Sequence, residues 1–483
     1  MKITRLLASV SVLLFVSACS NDDSISTTTE KKVTTTEVTE SSAFDWSTDK
    51  AVSVTITASA TTPVSIYADE ACTTPIVTNK LLKENVATDV EFTVPSTTET
   101  AYVAYTTTGG KAVKAFSLND VTVKRTGHVT TSPVLLEDCV ASSNTMDAYT
   151  SYHSSGTVMM CATWPDVSPA SSTKIGTVKV GSNTMRLYKM ATGYNDLVVD
   201  YDLESDVLDP AASYDFNAMS WKEGMKIVLH IRALGSVLPD KFGLKLENLD
   251  NSYVKSNEVK VTLGNYDDAP AGSITAQVAE DDGHPVILVE NLQWLLSAAN
   301  TANNPNATFY NVERESRDIW LATGEDYINH GGELFTVTIK LNGELRTKDN
   351  ASTLSAQSDQ YTAAIIQTTK QNFFMQTTAG NEIHLRGYAP LSTFKTAYAA
   401  AIAKDKLKGN VAFLDDGAEY YYCTNWGYPW GIKVPVLTKH VYKDGTIDDA
   451  YPSFNEWCVT SGTTNTDWYT ESKIDDTYIA KWW

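Results

Sequence analysis

Gly193-Tyr-Asn-Asp-Leu-Val-Val-Asp-Tyr-Asp-Leu-Glu-Ser-Asp206 decides how this chain is read. Asn195 and Asp196 suit a turn or a cation ligand set, and Leu197 to Tyr201 suit a buried strand. A polar loop therefore feeds directly into a core strand, with four more acidic residues by Asp206. Asp196, Asp200 and Asp202 have the same parity, so on an extended chain all three point to one face.

Working outward, further segments alternate with period two. They are Lys226–Arg232, Gly243–Leu246, Val259–Leu263 and Leu334–Leu341. Ile175–Val180 and Met185–Tyr188 flank Gly181-Ser-Asn-Thr184, a hairpin turn. Two segments break the pattern: Leu292–Ala299 reads as a short helix, and Leu391–Ala403 as an Ala-rich helix with Ser392 as its N-cap. Towards the N-terminus, Val52–Thr57, Val64–Ile66, Val90–Val94, Ala101–Tyr105 and Lys111–Phe116 are short strands separated by Thr, Pro and Gly. The fold class expected is mainly β. A small β-sandwich spans 44–123, a linker 124–156, and a larger β-sandwich with short helical insertions 157–483.

The totals agree with a globular chain. Of 483 residues 42% are hydrophobic and 20% charged, enough for two or three domains with sizeable cores. The formal net charge of −20 argues against nucleic acid, whose phosphates call for a basic surface. An acidic surface keeps an exported protein soluble; cation binding is the sharper reading.

The first residues carry an address. Lys2 and Arg5 precede an apolar run, Leu6–Val16, that is too short to span a bilayer. Val16-Ser17-Ala18-Cys19 resembles a bacterial lipobox, so 1–18 read as a signal peptide and Cys19 as the lipidated, palmitate-bearing N-terminus of the mature protein. The lipid bilayer is then the first partner. Residues 19–43 are a Thr/Ser-rich flexible tether, and Ser20-Asn-Asp-Asp23 resembles the surface-export signal of Bacteroidota lipoproteins. The expected location is the outer membrane, facing the exterior; the periplasmic face is the alternative.

Five cysteines follow Cys19. By proximity in sequence Cys139 with Cys161, and Cys423 with Cys458, are candidate disulfides, and the odd count leaves Cys72 or another as a thiol. Neither pairing can be deduced from sequence.

Around the opening stretch the chain resembles the LruC-domain family of bacterial lipoproteins, a domain of unknown function. The matching blocks are Ala191–Tyr201, Ile231–Gly235, Phe242–Leu244, Asn372–Gln376, Glu382–Tyr388, Pro429–Pro435, Asp449–Trp457, Ser461-Gly462 and Asp467–Tyr469. The resemblance covers about residue 157 to the C-terminus and implies an LruC-like β-rich domain with an envelope or surface role. The family's two leading aspartates fall here on Ala191 and Gly193. Asn195, Asp196, Asp200 and Asp202 remain as candidate ligands for Ca2+, fewer than the six to eight oxygens that ion takes. The structural alternative is an Asx-type turn capping a strand.

No motif for chemistry stands out. Ser171-Ser-Thr-Lys174 lacks the companion motifs of a penicillin-interacting enzyme, the seven histidines have no metal spacing, and there is no phosphate loop or nucleophile elbow. The aromatic run Tyr420–Trp430 offers Tyr421, Trp426 and Tyr428 as candidate glycan contacts, since rings cover the apolar faces of sugars. Trp430 and Trp457 read as core. The functional expectation is a non-enzymatic, membrane-anchored, surface-exposed lipoprotein without a cofactor, binding a glycan, matrix or protein ligand. The alternatives are a fimbria-like subunit or tip adhesin, and an envelope polysaccharide hydrolase.

Overall fold

Strict alternation builds the first layer: β1 (Asp49–Ala58) buries Val52, Val54, Ile56 and Ala58 and turns the residues between them outward. The computed structural model describes residues 48–480 apart from 120–127, 143–148, 181, 210–220, 237, 264–271, 298–306, 313–318, 324–325, 330–334, 348, 351–352, 404–420, 425, 461 and 463. The leader, Cys19, the tether and Gly181 of the expected hairpin turn lie outside the described residues.

After β1 come β2 (Thr62–Tyr67), β3 (Pro75–Leu82), β4 (Thr88–Pro95), β5 (Thr100–Thr107), β6 (Gly110–Ser117), β7 (His128–Thr130) and β8 (Val134–Leu136). β1 pairs with β4 antiparallel and with β7 and β8 parallel, while β3, β2, β5 and β6 form the facing layer. Valine, isoleucine and phenylalanine side chains from both layers fill the space between.

The larger region continues with β9 (Tyr149–Met160), β10 (Ala170–Val180), β11 (Asn183–Met190), β12 (Leu197–Leu208), β13 (Gly224–Leu234), β14 (Pro239–Leu246) and β15 (Ser256–Leu263). Then follow β16 (Thr275–Asp281), β17 (His284–Glu290), β18 (Phe309–Val312), β19 (Ile319–Thr323), β20 (Asp326–Asn329), β21 (Phe335–Asn342), β22 (Gln371–Thr377), β23 (Glu382–His384) and β24 (Gly431–Val434). The helices are α1 (Ser355–Ile366), α2 (Lys395–Ala403), α3 (Ile447–Ala450) and α4 (Phe454–Val459). Among the described residues no helix is long and apolar enough to cross a membrane.

One sheet runs through both halves of the chain, in the order β20-β19-β18-β13-β12-β9-β3-β2-β5-β6. The joint is antiparallel: Val77 of β3 faces Tyr152 of β9, and Thr78 faces Ser151. β7, β8 and the first two thirds of β9 lie within 124–156, so much of the expected linker is strand. A second sheet, β16-β17-β14-β22-β23, covers the apolar face of β12, where Tyr201 meets Phe373 at 4.6 Å between ring centroids. The architecture is mainly β, with few helices, as the alternation predicts.

The expected helices are trimmed. Leu292–Leu296 forms only a 3-10 turn. α2 starts three residues after Ser392, whose N–H and hydroxyl both bond the Asp281 carboxylate instead of capping the helix.

Candidate functional site

The polar face of the central sheet is built row by row. The register across β9, β12, β13 and β21 aligns Thr157, Asp200, His230 and Thr336, and in the next row Ser155, Asp202, Val228 and Thr338. Directly opposed residues share a face, so hydroxyls, carboxylates and an imidazole collect on one side while Tyr201 and Leu203 go to the core on the other.

A bulge supplies the cation. Val198 faces Ala233 but Val199 faces Ile231, leaving Arg232 as the extra residue of β13. Such an insertion re-aims a side chain, and here the Arg232 guanidinium lands on Asp200 at 2.8 and 2.9 Å, one nitrogen to both oxygens. Thr157 Oγ1 donates to the same carboxylate at 2.5 Å. Both charges are almost fully buried. Beside them His440 is completely buried, with Nε2 2.6 Å from Asn311 Oδ1. Burial, and secondarily the Arg232 charge, hold its pKa well below the usual imidazole value.

The edge of β9 is interrupted. β3 pairs with Ser151 and Tyr152, and β24 pairs with Thr157 to Met160, so His153 to Gly156 have no ladder partner on that side among the described residues. Proline ends both neighbours: β3 begins at Pro75 and Pro435 directly follows β24. Proline has no N–H with which to extend a ladder. Cys161 turns its N–H towards β24, bonding Trp430 O at 2.8 Å. By the two-residue alternation the main-chain groups of Ser155 and His153 face the opening.

A cavity of about 480 Å³ fills that opening and spreads over the polar face. Asp200, Asp202, His230 and Arg232 line its floor, His153 to Ser155 its edge, and Val436 and Leu437 its mouth. Asp49 reaches it from β1 and pairs with buried Lys433 at 3.4 Å. The size is that of a small-ligand site.

Two features set its lining apart. Tyr201, 1% exposed, crosses beneath β9 and contributes to the cavity lining, its buried Oη beside Ser154. The crossing needs Gly156, because a Cβ there would stand 2.5 Å from that oxygen. Burial, and secondarily the Asp49 charge, outweigh the Ser154 hydrogen bond and raise the phenol's pKa well above its usual value, so it stays protonated. At the mouth, Thr438 N bonds Pro435 O at 3.1 Å, closing a turn whose third residue, Leu437, has φ of +63°. Glycine ordinarily takes that position. Leu437 is 41% exposed, so an apolar side chain is held out at the rim against backbone preference.

The sequence pattern of DUF4842, a domain of unknown function, matches residues 223–469, just over half of the chain. The chain belongs to the DUF4842 family. The cavity is composite with respect to this DUF4842 segment: His230, Arg232 and Leu437 lie within it, Asp49, His153 and Asp202 before it. The fold is similar to the crystal structure of a Bacteroides ovatus protein assigned as a lipoprotein. That comparison has a TM-score of 0.63 and 23% identity, covering 88% of this chain and 100% of the other. The major pilin subunit of Bacillus cereus matches at 9% identity with a TM-score of 0.15, over 70% of this chain and 66% of that one, a likeness too slight to bear on the fold. No curated protein matches the chain in sequence.

The residues singled out in the sequence fall in different places. Asn195 is buried, its amide donating to the carbonyls of Val441 and Tyr442. Asp196 accepts the Ala162 N–H at 2.7 Å, and burial raises its carboxyl above the usual range. Asp200 is committed to Arg232 and Thr157, and Asp202 is exposed on the cavity floor. Three of the four candidate Ca2+ ligands thus have protein partners, and no group of three or more His, Cys, Asp or Glu among the described residues is disposed to hold a metal.

The aromatic candidates lie away from the cavity. Tyr428 is fully buried and its hydroxyl accepts the Tyr188 N–H; Trp426 stacks on Tyr188 at 4.0 Å; Tyr421 leans on Tyr398 at 5.6 Å. Trp430 and Trp457 are core.

The expected disulfides are corrected: Cys72, Cys139, Cys161, Cys423 and Cys458 are all thiols. Cys139 is tied into the N-terminal layer through Ser59, whereas Cys161 directly follows β9. Cys423 Sγ lies 3.1 Å from Thr424 O, bonded there instead of to Cys458.

Arg232, His153, Tyr201 and Leu437 were not singled out for this site in the sequence. The available signal was Arg232 at the end of an apolar strand, since a charge buried there requires a partner.

Proposed function

We propose that this DUF4842 chain is a non-enzymatic, lipid-anchored binding protein of the bacterial envelope. In this reading it is tethered through Cys19 to the outer membrane with its folded part outside the cell, and captures a glycan-type ligand in the cavity beside β9. The cavity carries the reading, because exposed Asp202 lies on its floor beside the interrupted edge of β9 and under the apolar rim of Val436 and Leu437. The lipobox-like Val16–Cys19, the LruC-like blocks and the similarity to the Bacteroides protein support the anchoring and the placement.

Full-length protein in detergent, applied to a broad glycan array, is expected to bind a defined subset and to lose it on Leu437→Asp. Silence across the array, with folding verified by circular dichroism, would overturn the binding role. Protease shaving of whole cells tests the placement: outward display predicts cleavage in intact cells, and protection would put the protein on the periplasmic face.

A further inference from the structure

We propose that the cavity recognises a protonated primary amine carried on a hydroxylated ring, as in an amino sugar with a free amino group. This deepens the binding reading and rests on it.

The charge balance of the cavity selects the ammonium. Asp200 is neutralised by Arg232 at 2.8 Å and Asp49 by Lys433 at 3.4 Å. Asp202 has no salt-bridge partner among the described residues. The nearest charged row of the same face does not supply one, because Lys226 and Glu204 pair with each other at 3.7 Å. Of the two imidazoles of the site, His230 has Nδ1 3.0 Å from Thr336 Oγ1, and His153 has Nε2 buried. One carboxylate charge therefore remains on the floor of a concave, partly dehydrated site, where attraction for a cation exceeds that on an open surface.

The acceptors fit three N–H donors. Ser155 is the direct cross-strand neighbour of Asp202, so its hydroxyl and the carboxylate share one spot. The main-chain carbonyl of Ser155 faces the same opening, by the alternation already described. An ammonium has three donors and no acceptor, and this set offers acceptors. Val436 and Leu437, 39% and 41% exposed, supply apolar cover for the C–H face of a ring.

The test is a set of calorimetric titrations of full-length, detergent-solubilised protein with D-glucosamine, N-acetyl-D-glucosamine, D-glucose and Nα-acetyl-lysine amide. Glucosamine is expected to bind at least about tenfold more tightly than the other three, a difference of about 1.4 kcal/mol. Asp202→Asn should shrink that preference below about threefold, with circular dichroism unchanged because the residue is exposed. Equal binding of glucose and glucosamine would overturn the amine claim and leave the binding reading standing. Lysine amide binding as tightly as glucosamine would overturn the ring. Silence of all four probes with a positive glycan array overturns this inference alone; silence of both overturns the binding reading too.

Discussion

Arg232 holds both oxygens of Asp200, at 2.8 and 2.9 Å, only because one residue too many separates Ala233 from Ile231 in its strand. In unbroken register Arg232 would face Val199 and point to the other side of the sheet. The bulge thus turns a potential buried charge in the core into the pair that closes one end of the cavity. Asp200→Asn should leave the guanidinium buried without a counter-charge and cost about 3–5 kcal/mol. Urea denaturation at neutral pH measures it. A loss below about 1 kcal/mol would mean the pair behaves like an exposed one.

How much of this was legible can be argued from the same residues. The parity of Asp200 and Asp202 placed them on one face, and the alternation in Val52–Thr57 gave β1. Arg232 could not be matched to Asp200, because a bulge is a property of two strands in register and leaves no mark in either alone. β3 joining β9 was hidden likewise, since pairing across some seventy residues has no local signal. α1 was missed because the first residue of its inward stripe, Gln357, is polar. Its amide nitrogen donates to Glu223 at 2.8 Å, replacing the apolar residue that helical periodicity looks for.

Stability should fall in two stages as the solution is acidified. His440 is buried neutral, and the unfolded chain takes up its proton near the ordinary 6.5. Below that pH the unfolded state binds more protons, so stability drops by up to about 1.4 kcal/mol per pH unit until the folded value is reached. Glu382 acts lower. Burial pushes its carboxyl up, but the His384 hydrogen bond at 2.7 Å and charge, with the Leu391 N–H and Gln376, outweigh burial and bring it below the usual range. Its contribution is present above the unfolded value near 4.5 and lost as pH falls through the lower folded one. Denaturation midpoints measured across pH should show both stages, and His440→Gln should remove only the upper one.

The thiols give a chemical test of the core. Cys161 and Cys458 are buried, and burial pushes the first up to about 11 and the second well above its usual value, so neither is a ready thiolate. Under native, non-reducing conditions alkylation should label the partly exposed Cys72 and Cys139 and spare Cys161, Cys423 and Cys458. Unfolding without reductant should then expose all three. If Cys423 and Cys458 stay unlabelled until reductant is added, a disulfide joins them after all.

Leu437 separates stability from binding at a single position. Its φ of +63° costs an L-residue about 1–2 kcal/mol over a comfortable conformation, and glycine is free of that cost. Against this, glycine gives the unfolded chain more freedom, worth about 0.5–1 kcal/mol. Leu437→Gly should therefore leave stability unchanged or raise it by up to about 1.5 kcal/mol, although a large apolar side chain is removed. Because that side chain is exposed at the cavity mouth, its loss removes little core contact and takes away cover for the ligand. Weaker glycan binding with undiminished stability is the expected signature. Parallel thermal unfolding and titration of this one variant check it: a matched fall in both would make the turn structural, and unchanged binding would take Leu437 out of the site.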